Sequence, residues 1–346
     1  MKLSLLPLLA FPLLVLAGCN SGGGSASTSA TTATASTTTG SASAPLKVAL
    51  LTSGDVNDQG WNQLGYEGLL QLKKDGDTVT NQVTKTDPER APAMRDLADQ
   101  GYNLLLLHGF EYGDAAKQIA PAYPDTKFVV VAGNVTQAPN VATLIPKLED
   151  ATYLLGIIAG KMTKTGKIGL IGGEDAPEIR SPFDSFTDGV KAANPSAVVL
   201  PTKYVGWDDQ NLGKVAAQAL IADGADILLH NADQAGKGMF AAAEEAKASG
   251  QRIYVFGSNA DQNHVAPDIT LASAVIDLPR AFENVAKSVQ DGSFAPKDIE
   301  LNLKNKTITL VWNPALKSQV PPDVIKAVDD ASAKIKSGAI KIQRKV

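Results

Sequence analysis

From Leu46 onward, short apolar runs alternate with helical stretches, and the alternation starts a second time part-way along. Lys47-Val-Ala-Leu-Leu51 is apolar at every position after its first, as a strand buried on both faces of a parallel sheet must be. A helix is predicted over Trp61 to Lys74, strands over Asn103 to Leu107 and Lys127 to Ala132, and a helix from near Asp114. A helix over Thr152 to Thr163 opens the second round. Lys167-Ile-Gly-Leu-Ile171 then resembles the first strand 120 residues on, and Gly224 to Asn231 resembles Gly101 to His108 123 residues on. Two matches at nearly one offset predict an α/β chain of two similar lobes, each a parallel sheet flanked by helices. The boundaries expected are 46–146 plus about 275–302 for the first lobe and 147–274 plus about 303–346 for the second, with connections near 144–147, 271–275 and 301–303.

The segment ahead of this body has a different composition. Lys2 precedes an apolar run, Leu3 to Leu16, too short to span a bilayer comfortably, and small residues follow. Residues 1–18 are therefore predicted to be a secretory signal peptide. Leu16-Ala17-Gly18-Cys19 resembles a bacterial lipobox, in which the Cys is acylated, and Cys19 is the only Cys of 346 residues. Residues 19–45 read as the lipidated Cys and an uncharged Ser/Thr/Gly/Ala tether. Such a tether cannot bury enough apolar surface to fold, and its random-coil reach is about 25–30 Å. The expected location is the bacterial cell envelope, with the protein exported and lipid-anchored to a membrane. The net charge of −4 and the lack of any basic run speak against nucleic acid.

In open α/β sheets ligands bind outside the carboxyl ends of the strands. The loops expected there run over 54–62, 109–114, 172–183, 206–210, 231–238 and 257–263. They are rich in Gly, Asp, Asn and Gln, and two carry a Trp. Aromatic faces with amides and carboxylates suit a polar ring ligand. Plainer roles compete at each position. Asp58 is placed to cap a helix, Asp114 to favour a helix N-terminus, and one of Phe183 and Phe186, three apart, to fill a core.

At these loops the chain resembles the basic membrane protein family, the nucleoside-binding lipoproteins that feed ABC importers. The resemblance rests on Asn57-Asp58-Gln-Gly-Trp61-Asn62 with Tyr66-Glu67-Gly68, on Gly109-Phe110 to Asp114, and on Met162-Thr-Lys-Thr-Gly-Lys-Ile-Gly169. It continues through Tyr204-Val-Gly-Trp207, Gly257-Ser-Asn-Ala-Asp261-Gln262, and Val320-Pro321 with Ile335 to Lys341. It implies the two-lobed, class I periplasmic-binding-protein-like fold with its ligand cleft between the lobes. It also implies a nucleoside, purine or related, held by two aromatic stackers, Trp61 and Trp207. Asn62 and Asp58, with Asn57 beside them, would meet the base edge, Asp114 the ribose hydroxyls, and Asp233 the base from the other lobe, with Asn259 and Asp261 nearby. Phe110 and Phe183 complete the expected lining. Departures from the family pattern are Trp for Phe at both stackers, Asn57 for an acid, Asn259 for an Asp and Ala260 for a Lys.

The expected partners are a small-molecule ligand and ABC permease subunits, with the chain itself a monomer that closes about a hinge. No cofactor is expected. His108, His230 and His264 are too scattered to indicate a metal, and no catalytic residue is assigned. The alternatives are the same fold binding a sugar or another heterocycle, and a surface receptor without transport. A nucleoside hydrolase is disfavoured, because Asp55-Val-Asn-Asp58 is a thin acidic cluster.

Overall fold

The computed structural model describes residues 44–345; the signal peptide, Cys19 and nearly all of the tether lie outside the described residues. The chain first lays down β1 (Lys47–Thr52), α1 (Trp61–Lys74), β2 (Thr78–Val83), α2 (Asp87–Asp99), β3 (Leu104–His108), α3 (Gly113–Ile119), β4 (Lys127–Val131) and β5 (Val141–Pro146). It then crosses into α4 (Glu149–Met162), β6 (Lys167–Gly172), α5 (Pro177–Ala193), β7 (Val198–Val199), β8 (Lys203–Tyr204), α6 (Gln210–Ala222) and β9 (Ile227–Asn231). This stretch ends with α7 (Asp233–Ala248), β10 (Tyr254–Asn259) and β11 (Thr270–Ile276). The chain returns for α8 (Leu278–Gln290) and β12 (Asp298–Leu301), then crosses a third time to β13 (Ile308–Trp312) and α9 (Pro322–Ser337).

Two sheets result. The first has strand order β12-β5-β4-β3-β1-β2 and is parallel throughout. The second runs β13-β11-β10-β9-β6-β7, with β8 also on β6 and β13 antiparallel at the edge. The fold is thus α/β, with two lobes of parallel sheet flanked by helices. The connections between the sheets fall at 147–148, at 277 and at 302–307.

The side-chain period of two explains the layering. In the first sheet Val48, Leu50, Leu104 and Leu106 face one side, and Ala49, Leu51, Leu105 and Leu107 face the other, where α2 and α3 add Met94, Leu97 and Ile119. In the second sheet Ile168, Leu170, Ile227 and Leu229 face inward, while Ile171, Leu228 and Val255 face α6 and α7. The inner faces of both sheets share one apolar cluster, carried across the connection by Leu148, Leu154, Leu155 and Ile158. Each fully buried Leu there stabilises the fold by about 2 kcal/mol relative to exposure. The cover is close: a Cβ on Gly68 of α1 would lie 2.6 Å from the Phe282 ring of α8. All strands that end at the cleft therefore rest on one continuous base.

Candidate functional site

A cleft of about 410 Å³ opens at the carboxyl ends of both sheets. Its back wall is the connection itself, with Pro146 and Leu148 from the first crossing and Ile276 from the second. Its side walls each carry one tryptophan, Trp61 and Trp207.

The first wall is organised by Asp58. This fully buried carboxylate accepts the backbone N–H of Gly60, Asn62 and Gln63 at 2.7–2.9 Å, and Asn62 Nδ2 at 2.9 Å. It thereby satisfies the orphan donors that begin α1 and fixes the direction of Asn62. Trp61, the first residue of α1, stacks on His108 at the end of β3, with ring centroids 4.0 Å apart and planes at 13°. His108 Nε2–H donates to the Trp61 carbonyl at 2.7 Å, and burial pushes the imidazole pKa down to about 4, so the ring is neutral at physiological pH. One indole face is covered and the other belongs to the cleft. Glu111, in a short turn after Gly109 and Phe110, also lines the cleft, and burial raises its carboxyl above the ordinary carboxylate range. Behind it lies Arg90 of α2, with 9% of its side chain exposed, paired with Asp87 and set over the Tyr112 ring.

The second wall rests on backbone. The Trp207 indole lies against Gly173, where any Cβ would overlap it, and the Trp207 carbonyl accepts Ala235 N–H at 2.9 Å. Asp233 and Asn259 line the cleft at φ of +40° and +67°, in the left-handed region that non-glycine residues seldom occupy. Asn259 Nδ2 donates to Asn231 Oδ1 at 3.0 Å. Burial pushes the Asp233 carboxyl well above its ordinary range, the Asp58 charge adds to this, and a hydrogen bond from Asn62 opposes it.

Four hydrogen bonds join the walls. Asn62 Nδ2 donates to Asp233 at 3.3 Å, Gln234 Nε2 to the Asn57 side chain at 3.3 Å, Lys237 Nζ to the Asn57 carbonyl at 2.9 Å, and Gln262 Nε2 to the Gln59 carbonyl at 3.0 Å. Gln262 is itself held by His230, whose Nε2–H donates to its Oε1 at 2.9 Å.

Of the expected ligand contacts, Trp61, Asn62, Phe110, Trp207, Asp233 and Asn259 line the cleft together. The other five do not line it. Asp58 is turned into the α1 terminus. Asn57 is exposed and serves as the acceptor for Gln234 and Lys237. Asp114 stands exposed in the first turn of α3, Phe183 is buried under Gly172 in the core, and Asp261 is exposed and accepts Asn263 N–H. Sequence reasoning overlooked Glu111, Arg90, Glu149 and Arg344, which all line the cleft. Glu111 lies within a loop already marked as cleft-facing, so that signal was present. Arg90 in a helix and Arg344 in the C-terminal tail carried none. Among the described residues no group of three or more His, Cys, Asp or Glu is placed to hold a metal ion, and no helix is long and apolar enough to cross a membrane.

The model of a family described as "ABC transporter substrate-binding protein PnrA-like" matches residues 46–345. A purine-binding protein of Brucella abortus is 30% identical over 303 residues, covering 86% of this chain and 83% of its own. The ABC transporter nucleoside-binding protein BmpA of Lactococcus lactis is 29% identical over 336 residues, covering 91% and 92%. In structure, a solute-binding protein of an ABC transporter system from Aeropyrum pernix superposes with a TM-score of 0.81 at 24% identity, covering 87% of this chain and 94% of that one.

Proposed function

The chain belongs to the PnrA-like ABC transporter substrate-binding family, and we propose that it captures a nucleoside, with purine the implied base class, between Trp61 and Trp207. The observation that carries this reading is that two indoles, one from each lobe, line a single cleft of about 410 Å³ together with Asn62, Asp233 and Asn259. Each indole offers a flat face for a base, and the amides and carboxyls offer partners for its edges and for ribose hydroxyls. The names of the Brucella and Lactococcus relatives point to the same ligand class. Eight carboxyl side chains and three cationic ones line the cleft, a balance that repels phosphates and favours an uncharged ligand.

Capture proceeds by hinge closure about the three connections. A ligand that touches both walls favours the closed arrangement by its differential affinity for it, and the four hydrogen bonds between the walls add to it. The closed monomer then docks on its permease from the outer side of a membrane, anchored through acylated Cys19 and tethered by residues 20–45. The support for that anchor is the Leu16 to Cys19 motif around the single Cys.

The test is the melting temperature of the full chain with nucleosides, free bases and sugars in turn. A ligand at a hundredfold excess over its Kd stabilises the folded state by about 2.7 kcal/mol. The expected result is an upward shift with purine nucleosides that Trp61→Ala and Trp207→Ala each abolish. A shift with sugars alone would replace the nucleoside reading while leaving the family and the cleft in place.

A further inference from the structure

The chain does not end at α9. Residues 339–345 run back, outside any helix or strand, to the first turns of α5, and there the tail is pinned. Lys345 N–H donates to Ser181 Oγ at 2.9 Å, and Ser181 Oγ donates to Glu149 Oε1 at 2.7 Å. Glu149 is the first residue of α4, immediately past the first connection between the lobes, and is 2% exposed. The pin brings Arg344 into the back of the cleft, where it joins Glu149, Ile179 and Pro182 in the lining.

Two features of this corner are unfinished. Glu149 Oε2 is buried without a hydrogen-bond partner among the described residues. The Arg344 guanidinium, 13% exposed at its side chain, approaches Glu149 Oε1 only at 3.9 Å and has no hydrogen bond to another described residue. A guanidinium carries five N–H donors and no acceptor, so Arg344 has donors to offer a molecule in the cleft. The other two cations of the lining differ. Arg90 donates through Nη1 to Asp87 and to the Glu111 carbonyl, although its Nε is buried without a partner among the described residues, and Lys85 is exposed.

We propose that the C-terminal tail is part of the ligand site, and that Arg344 is a specificity-determining residue that donates to an acceptor of the bound ligand while Glu149 Oε2 accepts from it. The pair suits an uncharged ligand edge with a donor beside an acceptor, such as the carbonyl and ring N–H of a 6-oxopurine. This rests on the nucleoside reading for the ligand class but not for the position of the tail.

Two measurements on the full chain test it. The first needs no ligand. In a Cys19→Ser background, Arg344→Cys is labelled with a small fluorophore that a nearby indole quenches, and the label is compared in the Trp61→Phe, Trp207→Phe double variant. Quenching that the double variant relieves is expected; an unquenched label means the tail lies outside the cleft and overturns the proposal. The second measures Kd for the compounds that raise the wild-type melting temperature in the nucleoside, base and sugar panel. Arg344→Gln is expected to weaken binding at least tenfold without changing the ligand-free melting temperature, whereas Gln343→Ala, on the exposed side of the tail, binds as wild type. Binding by Arg344→Gln within twofold of wild type overturns the proposal. If no nucleoside shifts the wild type, the nucleoside reading fails by itself, and the quenching result still decides the place of the tail.

Discussion

The two tryptophan walls face the same cleft and are held there by different physics. Trp61 is fixed by side chains: a buried carboxylate caps its helix, and a buried neutral imidazole stacks beneath its ring. Trp207 rests on backbone: it lies on Gly173 and its carbonyl accepts Ala235 N–H, in a wall that also carries Asp233 and Asn259 in the left-handed region. The first wall is therefore well packed and sensitive to charge. Left-handed backbone reaches the cleft from both sides, at Ala132 on the first and at Asp233 and Asn259 on the second, but only on the second does it carry polar side chains into the lining. Both indoles are partly buried, so the walls differ in what lies beneath the ring: an imidazole under Trp61 and a glycine under Trp207.

The largest expected effect tests whether both walls are equally dry. His108 and His230 sit beneath opposite walls, and burial pushes each pKa from 6.5 to about 4. Above pH 6.5 both are neutral whether the chain is folded or not, so neither affects stability. Between pH 6.5 and about 4 the unfolded chain takes up protons that the folded one refuses, so stability falls as the pH falls, and below about 4 this slope ends. At about 1.4 kcal/mol per pK unit the pair removes several kcal/mol across the window. Thermal melts between pH 7 and 4 should show this fall. His108→Gln and His230→Gln, which keep a donor near Nε2, should each remove about half of it. If one substitution removes all of it, water reaches the other wall.

Asp58→Ala comes next, because it takes one acceptor from three backbone donors and from Asn62 at once. A cap contributes about 1 kcal/mol and a charge-assisted hydrogen bond about 1.5–3 kcal/mol, so a loss of about 3 kcal/mol is expected in chemical denaturation. No equivalent carboxylate supports Trp207. Its N-cap neighbour Asp209 is exposed and accepts only from Asn211 and Leu212, and Asp209→Ala should cost about 1 kcal/mol. Equal losses in the two variants would remove the contrast drawn between the walls.

A pair of glycine substitutions sharpens it further. A Cβ on Gly65 would sit 2.7 Å from the His108 ring, which is fully buried and cannot withdraw. Overpacking of this kind costs about 1–3 kcal/mol, offset by up to about 1 kcal/mol of helix propensity. Gly65→Ala should therefore lower the melting temperature first and the affinity second. Gly173→Ala displaces an indole that is only half-buried, so the order reverses. Affinity for the ligand should fall about tenfold, by titration of tryptophan fluorescence, with little change in ligand-free stability.

Much of this was legible in the sequence because it depends on period and loop position. The fully buried strands β1, β3 and β4 betray themselves as unbroken apolar runs, and the cleft loops follow from where such strands end. β2 was missed for the converse reason: Thr-Val-Thr-Asn-Gln-Val forms a half-exposed edge strand with no apolar run to detect. Asp58 shows the limit at the site. The sequence places it beside Trp61 as a candidate ligand contact and equally as a helix cap, and only three-dimensional geometry shows that its carboxylate accepts from four donors at the start of α1. Glu149 and Arg344 meet across almost 200 residues, beyond the reach of any local pattern.

The smallest effect concerns Asp233, where both features of the second wall meet. Its φ of +40° strains the backbone, and burial holds its carboxyl well above the ordinary range, so ionisation at neutral pH works against the fold. Asp233→Asn keeps the shape and removes the charge. It should melt about 2 °C higher than wild type at pH 7, within the usual effect of a change below 1 kcal/mol in a chain of this size. The sign follows from linkage. The folded carboxyl holds its proton to higher pH than the unfolded one, so wild type loses stability as pH rises above the ordinary carboxylate value, and the advantage of Asn should vanish toward pH 4. Asp233→Gly relieves the strain as well and should melt at least as high. Both variants should bind ligand more weakly, because a side chain kept at this disadvantage in the cleft is retained for what it contacts there. A variant that gained stability and lost no affinity would leave the strain at Asp233 without a function, and the second wall would then differ from the first only in how it is packed.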